Sequence, residues 1–222
     1  MEDVIDYLSR ERRGAMFLIE APSGTGKGTI IKELLKKDDK LKFSVSVTTR
    51  PPRSNEVDGV DYHFISDEQY DKYKEEDAFY EYVDSQYGNR YATLRSEVDR
   101  FLALGEDVIF DIDWMGARQV KEKAPQDVVT IYMLPPSVKE VRRRLEKRGT
   151  DSHEVIEKRM KLIGEKLSHW QEFDYVVVCE NPEYASETIM HIIWGERMKR
   201  TRQQKGLEHF VKELMEEAES IK

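Results

Sequence analysis

The sequence has almost no cysteine: Cys179 is the only one among 222 residues. A single cysteine excludes an internal disulfide framework and fits a reducing compartment. We interpret Cys179 as a small buried residue rather than a reactive thiol. Met1 to Val4 lack the basic-then-apolar pattern of a secretory signal, so we expect a cytoplasmic location.

Long apolar runs and an excess of positive charge are also missing. No stretch approaches the roughly 18 apolar residues of a membrane span, so no membrane partner is expected. The net charge of −8 argues against a protein that coats nucleic acid. A polyanionic ligand would therefore need a local cluster of Lys and Arg. Hydrophobic residues make up 39% of the chain, which is enough for one compact domain of ordinary size.

Short apolar runs alternate with helical patterns along most of the chain, which predicts an α/β fold with a parallel sheet covered on both faces. The predicted strands are Met16–Glu20, Asp107–Ile112, Val128–Leu134 and Tyr175–Val178. The predicted helices are Lys27–Lys37, Leu94–Leu104, Met115–Glu122, Val138–Lys147 and Glu154–Leu167. Residues 44–93 break this rhythm with short strands and one polar helix, and we interpret them as an inserted lobe. Ligands of open parallel sheets bind beyond the carboxyl ends of the strands, where such a lobe would overhang the site.

The stretch EAPSGTGKGT, residues 20–29, lies between the first predicted strand and the first predicted helix. Glycines let consecutive backbone N–H groups converge on an anion, the helix N-terminus adds positive potential, and Lys27 can reach the outer phosphates. The usual pattern has Gly where Ala21 stands and Ser or Thr where Gly28 stands, with Thr29 one residue later. A turn without a ligand is the alternative. The strand-to-helix context and Lys27 favour a phosphate cradle.

Two arginines flank a Pro-Pro pair in the inserted lobe. Because each proline fixes its backbone φ angle, Arg50 and Arg53 are held on a stiffened segment. Paired guanidinium groups suit a phosphate monoester, which they bind in a bidentate manner. Tyr62 and Tyr91 offer neutral hydroxyl donors. A solvated loop is the alternative interpretation of this segment.

These motifs resemble those of the guanylate kinase family, and the resemblance extends from about Met16 to Ile193. The segments that carry it are APSGTGKGT, SVSVTTRPPRSNEVDGVDYHF, FYEYV, GNRYAT, DVIFDIDWMGARQV, LPPS, RRRLEKRGTDS and DYVVV. The resemblance implies a phosphate-loop NTPase-type core, an inserted GMP-binding lobe of mixed α/β structure and a helical lid. We expect the core at residues 1–45, 94–135 and 169–205, the lobe at 46–93 and the lid at 136–168.

The resemblance also implies the residues that bind the acceptor, GMP or dGMP. Those expected to hold its 5′-phosphate are Arg50, Arg53, Tyr62 and Tyr91. Those expected to read guanine are Ser46, Glu81, Thr93 and Asp113, while Asp111 would lie nearer the phosphates. Guanine presents two donors beside the acceptor O6, so carboxylates suit the donors and hydroxyls suit O6. Adenine would leave a carboxylate unpaired at this edge.

On the donor side, the resemblance implies ATP as co-substrate and Mg²⁺ as its metal ion. The residues expected to bind ATP are Ala21, Pro22, Ser23, Gly24, Thr25, Gly26, Lys27, Gly28 and Thr29. Mg²⁺ would contact Thr29 and Asp111, largely through waters and phosphates. The catalytic residues implied are Lys27, Arg50, Arg144, Arg148 and Arg159, the last three from the lid. We interpret Arg142 and Arg143 as a solvated helix face.

Two other functions remain as alternatives. One is a catalytically inactive guanylate-kinase-like binding module, which the intact phosphate loop opposes. The other is a kinase for a different nucleotide or sugar monophosphate, which the acids and hydroxyls of the guanine site oppose.

Residues 206–222 extend beyond the resemblance as a C-terminal amphipathic helix. Its apolar residues recur at spacings of three and four from Leu207 to Ile221, which predicts one apolar stripe. We expect this stripe to fold back onto the core of its own chain, and a homo-oligomer contact is the alternative.

Overall fold

The structure is a computed structural model that describes residues 11–84, 88–149 and 151–221. Residues 1–10 of the predicted core and Thr150 of the RGTDS motif therefore lie outside the described residues. The strands are β1 (Met16–Glu20), β2 (Leu41–Phe43), β3 (Val47–Thr48), β4 (His63–Phe64), β5 (Phe79–Asp84), β6 (Arg90–Leu94), β7 (Asp107–Phe110), β8 (Val128–Leu134) and β9 (Tyr175–Val178). The helices are α1 (Lys27–Lys37), α2 (Asp67–Glu75), α3 (Arg95–Ala103), α4 (Trp114–Lys123), α5 (Val138–Arg148), α6 (His153–Lys161), α7 (Ile163–Ser168), α8 (Pro182–Arg197) and α9 (Arg200–Ser220).

A five-stranded sheet with the order β2-β7-β1-β8-β9 forms the core, and all its neighbouring strands are parallel. This confirms the predicted parallel sheet flanked by helices. Every residue of β1 is buried, as expected for a central strand covered on both faces. Phe17 and Ile19 pack into one apolar cluster, and Met16 and Leu18 pack into another. This alternation follows from the period of two along a strand.

A second, four-stranded sheet has the order β4-β3-β6-β5 and lies within residues 47–94. Its β3–β4 pair is parallel, and the β3–β6 and β5–β6 pairs are antiparallel. Helix α2 contributes Tyr70 to a small core with Val47, Phe79 and Ala92. The assignment of residues 46–93 as a nucleotide-binding lobe and of residues 136–168 as a lid stays a prediction.

The described part of the predicted lid, residues 136–149 and 151–168, contains three helices where two were predicted. A turn at Leu162 separates α6 from α7 within the predicted helix Glu154–Leu167. The turn redirects the chain so that Ile156 of α6 and Ile163 of α7 both pack against Val141 and Leu145 of α5.

The C-terminal helix begins at Arg200, six residues before the predicted start. Gly206 and Gln203 are buried in its first half, so the glycine that looked like a helix boundary lies inside α9. The expected burial of the apolar stripe is wrong for the distal half. The side chains of Val211, Met215 and Ile221 are 46%, 63% and 80% exposed.

Across residues 11–84, 88–149 and 151–221, no helix combines the length and the apolar character needed to cross a bilayer.

Candidate active site

The stretch between β1 and α1 has the backbone geometry of an anion cradle. Gly24 and Gly26 have φ angles of 86° and 110°, a region that side chains other than glycine rarely adopt. Gly26 precedes the first residue of α1, and no side chain among the described residues caps this helix. The first N–H groups of α1 therefore remain available for a bound anion.

A cavity of about 830 Å³ opens above this loop. All nine predicted ATP-binding residues line it. The other residues that line it are Lys32, Glu140, Arg143, Arg144, Leu145, Arg148, Glu180 and Pro182. Arg143, interpreted from the sequence as part of a solvated face, is 61% exposed and paired with Glu140, but it also borders the cavity. Arg142 pairs with Glu157 and is 39% exposed.

Lys27 lies between two carboxylates at the base of the cavity. Its Nζ is 2.7 Å from Asp111 Oδ1 and 3.3 Å from Glu20 Oε2. Burial lowers the pKa of Lys27, but the two carboxylates outweigh burial, and the pKa is raised. The ammonium group is therefore charged at neutral pH and ready to receive an anionic ligand.

Two of the three predicted lid arginines contact the phosphate loop. Arg144 donates from Nη1 to the backbone oxygen of Thr25 at 2.9 Å. Arg159 donates from Nη1 to Ser23 Oγ at 2.8 Å. Arg148 is exposed and lines the cavity. The guanidinium groups of Arg144 and Arg159 thus both lie against residues 23–25 of the loop.

Arg50 is held in place before any acceptor is bound. Its two terminal nitrogens each donate to one oxygen of Glu56 at 2.8 Å, which lowers the pKa of that carboxyl to about 2. Its guanidinium carbon lies 5.3 Å from the centre of the Tyr62 ring, and that ring is 5.9 Å from Tyr91. Arg53 is exposed and contributes its backbone N–H to Glu56 at 2.8 Å. The structure therefore groups Arg50, Tyr62 and Tyr91, with Arg53 at the edge.

The predicted guanine-reading acid Glu81 is buried, with only 5% of its surface exposed. Thr93 donates its hydroxyl to Glu81 Oε1 at 2.8 Å. Burial raises the pKa of Glu81 to about 7, with Asp113 adding to the rise and Thr93 opposing it. A buried carboxyl with an elevated pKa is costly to the apo protein, which is typical of a binding group that awaits its partner.

Asp113 and Gly116 connect this acid to the core. Asp113 Oδ1 accepts from the Gly116 N–H at 3.0 Å and so caps α4. A Cβ atom on Gly116 would lie 3.1 Å from Glu81 Oε2, so glycine leaves room for the carboxylate. Ser46 is partly buried, and its backbone oxygen accepts from the His63 N–H at 2.9 Å.

Sequence reasoning missed several residues that shape the site. Glu56, which fixes Arg50, resembled an ordinary solvated acid; its spacing of three residues after Arg53 was the available signal. Gln119 was also missed: its side-chain amide bonds both the N–H and the carbonyl oxygen of Tyr82 at 3.1 Å, which ties α4 to β5. Glu20 and Lys166 were missed as well.

The residues around Lys27 fit a magnesium ion that is held largely by nucleotide and water. In the described part of the chain, no three His, Cys, Asp or Glu side chains cluster closely enough to hold a metal ion. The Asp111 carboxylate is 41% exposed, and Thr29 borders the cavity. Mg²⁺ commonly keeps several waters and binds one or two protein oxygens plus phosphates, and this donor set is compatible with that habit.

Comparison with known proteins places this geometry in a family. The guanylate kinase family model matches residues 13–196. The guanylate kinase of Zymomonas mobilis is 46% identical over 204 residues, covering 92% of this chain and 94% of that protein. The guanylate kinase of Rhizobium etli is 44% identical over 210 residues, covering 95% and 94%.

A solved structure shows the same relationship. The crystal structure of guanylate kinase from Anaplasma phagocytophilum is 31% identical and superposes with a TM-score of 0.68, covering 86% of this chain and 90% of that one. The chain therefore belongs to the guanylate kinase family.

Proposed function

We propose that this chain transfers the γ-phosphate of ATP to GMP or dGMP, giving ADP and GDP or dGDP. The observation that carries the proposal is that residues 111–116, which follow β7, touch both halves of the site. Asp111 pairs with Lys27 on the donor side. Asp113 caps the turn of α4 whose Gly116 lies against Glu81 on the acceptor side. One short segment thus joins the phosphate cradle to the buried acid.

On the donor side, Lys27 and the N–H groups of residues 24–29 hold the β- and γ-phosphates of ATP. Arg144 and Arg159 already lie on the phosphate loop, and Arg148 borders the same cavity. Negative charge is redistributed on the transferred group in the transition state, and cations fixed around it stabilise that charge. Thr29 and Asp111 are the residues that would hold Mg²⁺, which would supply positive charge to the phosphates.

On the acceptor side, Arg50 and Arg53 bind the 5′-phosphate of GMP, and Tyr62 and Tyr91 add neutral donors. Glu81 and Asp113 accept from the N1–H and the 2-amino group of guanine. The hydroxyls of Ser46 and Thr93 donate to O6, and Thr93 then gives up the hydrogen bond that it donates to Glu81. AMP lacks the paired donors, so binding it would leave a buried acid without a partner.

The nucleophile is a phosphate oxygen of GMP, which is ionised at neutral pH. No general base is therefore required, and the protein contributes alignment and charge. We propose that the lobe and the lid close over both nucleotides and exclude water, which would otherwise compete with GMP as acceptor.

The direct test is ADP formation from ATP with GMP, dGMP, AMP, UMP and CMP assayed in parallel, with and without Mg²⁺. We expect turnover with GMP and dGMP, and only when Mg²⁺ is present. Equal turnover with AMP or a pyrimidine monophosphate would overturn the guanine assignment. Lack of turnover with every acceptor would point to the inactive binding module, which no feature of the intact cradle favours.

Localisation and assembly remain predictions. The buried Cys179 is consistent with a reducing compartment such as the cytoplasm. The exposed distal half of α9 offers a surface for self-association, and size-exclusion chromatography with light scattering tests whether it is used.

A further inference from the structure

Glu20, the last residue of β1, is a buried acid directly beneath the phosphate loop. Only 2% of its surface is exposed. Its Oε2 accepts from Lys27 at 3.3 Å, but its Oε1 is buried and has no hydrogen-bond partner among the described residues. Burying a carboxylate is costly unless its oxygens are paired, so a hydrogen-bond donor to the orphaned Oε1 would stabilise the buried acid.

A cation close to that orphaned oxygen comes from the predicted lid. Lys166 Nζ on α7 lies 3.8 Å from Glu20 Oε1, which is beyond hydrogen-bond distance. The backbone of Lys166 is held over the sheet because Tyr132 donates its hydroxyl to the Lys166 carbonyl at 2.6 Å. Tyr132 is the residue of β8 in register with Glu20. The base of α7 is therefore anchored beside Glu20, and only the lysine side chain has to move.

The packing between lid and loop leaves room for such a movement. A cavity of about 50 Å³ lies between them, and Pro22, Ser23, Arg159 and Lys166 are among the residues that line it. The Lys166 side chain is 36% exposed, so it is not locked by its neighbours.

We propose that Glu20 is a positioning residue that couples the lid to the phosphate loop. In the structure, Glu20 and Asp111 together hold the ammonium group of Lys27. When the phosphates of ATP draw that ammonium towards themselves, Glu20 loses part of its pairing, and Lys166 moves in to bond Oε1. The buried acid thus exchanges one lysine for another, and the exchange favours the closed lid when ATP is bound. This inference rests on the proposed function.

The proposed coupling between Glu20 and Lys166 is tested by a double-mutant cycle that measures kcat/KM for ATP at saturating GMP. We expect Lys166→Met to lower kcat/KM for ATP about tenfold in the otherwise unchanged chain, and at most twofold in the Glu20→Gln background. Lys166→Arg, which keeps the charge, should retain most of the activity. KM for GMP should not change in any of these variants, because neither residue faces the acceptor.

A matched control is Lys161→Met, which removes an exposed lysine from the neighbouring helix α6. Its kcat/KM for ATP should stay within twofold of the unchanged chain. Effects of Glu20→Gln and Lys166→Met that multiply independently would overturn the proposal, as would equal effects of Lys166→Met and Lys161→Met. Lack of GMP phosphorylation by the unchanged chain would instead contradict the proposed function.

Melting curves show whether Glu20→Gln folds. If it does not, calorimetric titration with a nonhydrolysable ATP analogue decides between Lys166→Met and Lys161→Met. A loss of affinity confined to Lys166→Met supports the coupling, and equal affinities refute it.

Discussion

The proposed donor side and the proposed acceptor side of the site are built to bind phosphate by different physical means. On the donor side, a glycine-rich backbone and a helix N-terminus form the cradle. The positive charge of Lys27 is balanced there by the carboxylates of Glu20 and Asp111. On the acceptor side, side chains form the site. Arg50 is held by a hydrogen-bonded ion pair with Glu56, and the buried Glu81 accepts a hydrogen bond from Thr93. A backbone cradle recognises phosphate in any nucleoside triphosphate, whereas the acceptor side chains, as proposed, would discriminate between bases. Selectivity for the acceptor base should therefore reside in the lobe, and stabilisation of the charge on the transferred phosphoryl group should reside in the phosphate loop.

The largest expected effect comes from removing the charge that serves the donor side. Lys27→Ala should lower kcat by a hundredfold or more, that is by about 3 kcal/mol or more of transition-state stabilisation. GMP affinity measured by calorimetry should stay nearly unchanged. Lys36→Ala, an exposed lysine on the same helix, is the matched control and should behave like the unchanged chain. A Lys27→Ala variant with near-normal turnover would show that the loop does not act as proposed.

The next largest effect concerns the base-reading acid. Glu81→Gln should weaken GMP binding by about 2–4 kcal/mol, because an amide cannot accept from both guanine donors. Binding of an ATP analogue should not change. Glu75→Gln, on an exposed position of α2, is the control. Equal losses for both nucleotides would mean that Glu81 is structural.

The same substitution should stabilise the protein without ligand. The folded-state pKa of Glu81 is about 7, above its ordinary 4.5, so folding holds a proton that the unfolded chain releases. The penalty is absent below pH 4.5, grows as the pH rises to 7 and is constant above that. Glu81→Gln should therefore raise the free energy of unfolding by about 1–3 kcal/mol at pH 8 and have little effect at pH 4.5. A variant less stable than the unchanged chain at pH 8 would contradict this account.

How far these sites can be predicted from sequence depends on how local their signal is. The strand Met16–Glu20 and the helix Lys27–Lys37 were predicted to the residue, because a continuous apolar run and a glycine-rich turn are local signals. The strand Leu41–Phe43 was missed because it has three residues at the sheet edge and only Leu41 is buried. The start of α9 was missed because Gly206 resembles a helix boundary in the sequence but is buried inside the helix.

Side-chain pairs that form only through tertiary contact could not be predicted from the sequence for the same reason. The proximity of Glu20 to Lys166 has no local pattern, since the two residues come from distant parts of the chain. The burial of Glu81 could not be recognised either, because an acid on a strand is usually solvated.

A smaller effect is expected from weakening the ion pair between Arg50 and Glu56 on the acceptor side. Glu56→Gln should raise KM for GMP about tenfold, equivalent to about 1.4 kcal/mol, because Arg50 loses its charged partner and is no longer fixed. KM for ATP and kcat should change little. Asp58→Asn, an exposed acid in the same segment, is a matched control. An unchanged KM for GMP would show that Arg50 does not need the charge of Glu56 to hold its position.

The smallest effect is expected from the end of the chain. Deletion of residues 211–222 should leave kcat within about twofold, because this exposed half of α9 does not line the cavity. Light scattering on the same sample reports the association state. A truncated protein that stays folded with unchanged mass but loses turnover would place the tail in the site.

The most direct test of the difference between the two sides is the pH dependence of GMP affinity, measured by calorimetry on the unchanged chain and on Glu81→Gln. The variant corrects for titration of the GMP phosphate itself. With a pKa of about 7, Glu81 is mostly ionised at pH 8 and mostly protonated at pH 6. The unchanged chain should therefore lose about tenfold more GMP affinity than the variant between these pH values. An ATP analogue should show no such difference between the two proteins. Equal pH dependence of GMP binding in both proteins would contradict the claim that a buried acid, rather than the phosphate contacts, makes the acceptor side selective.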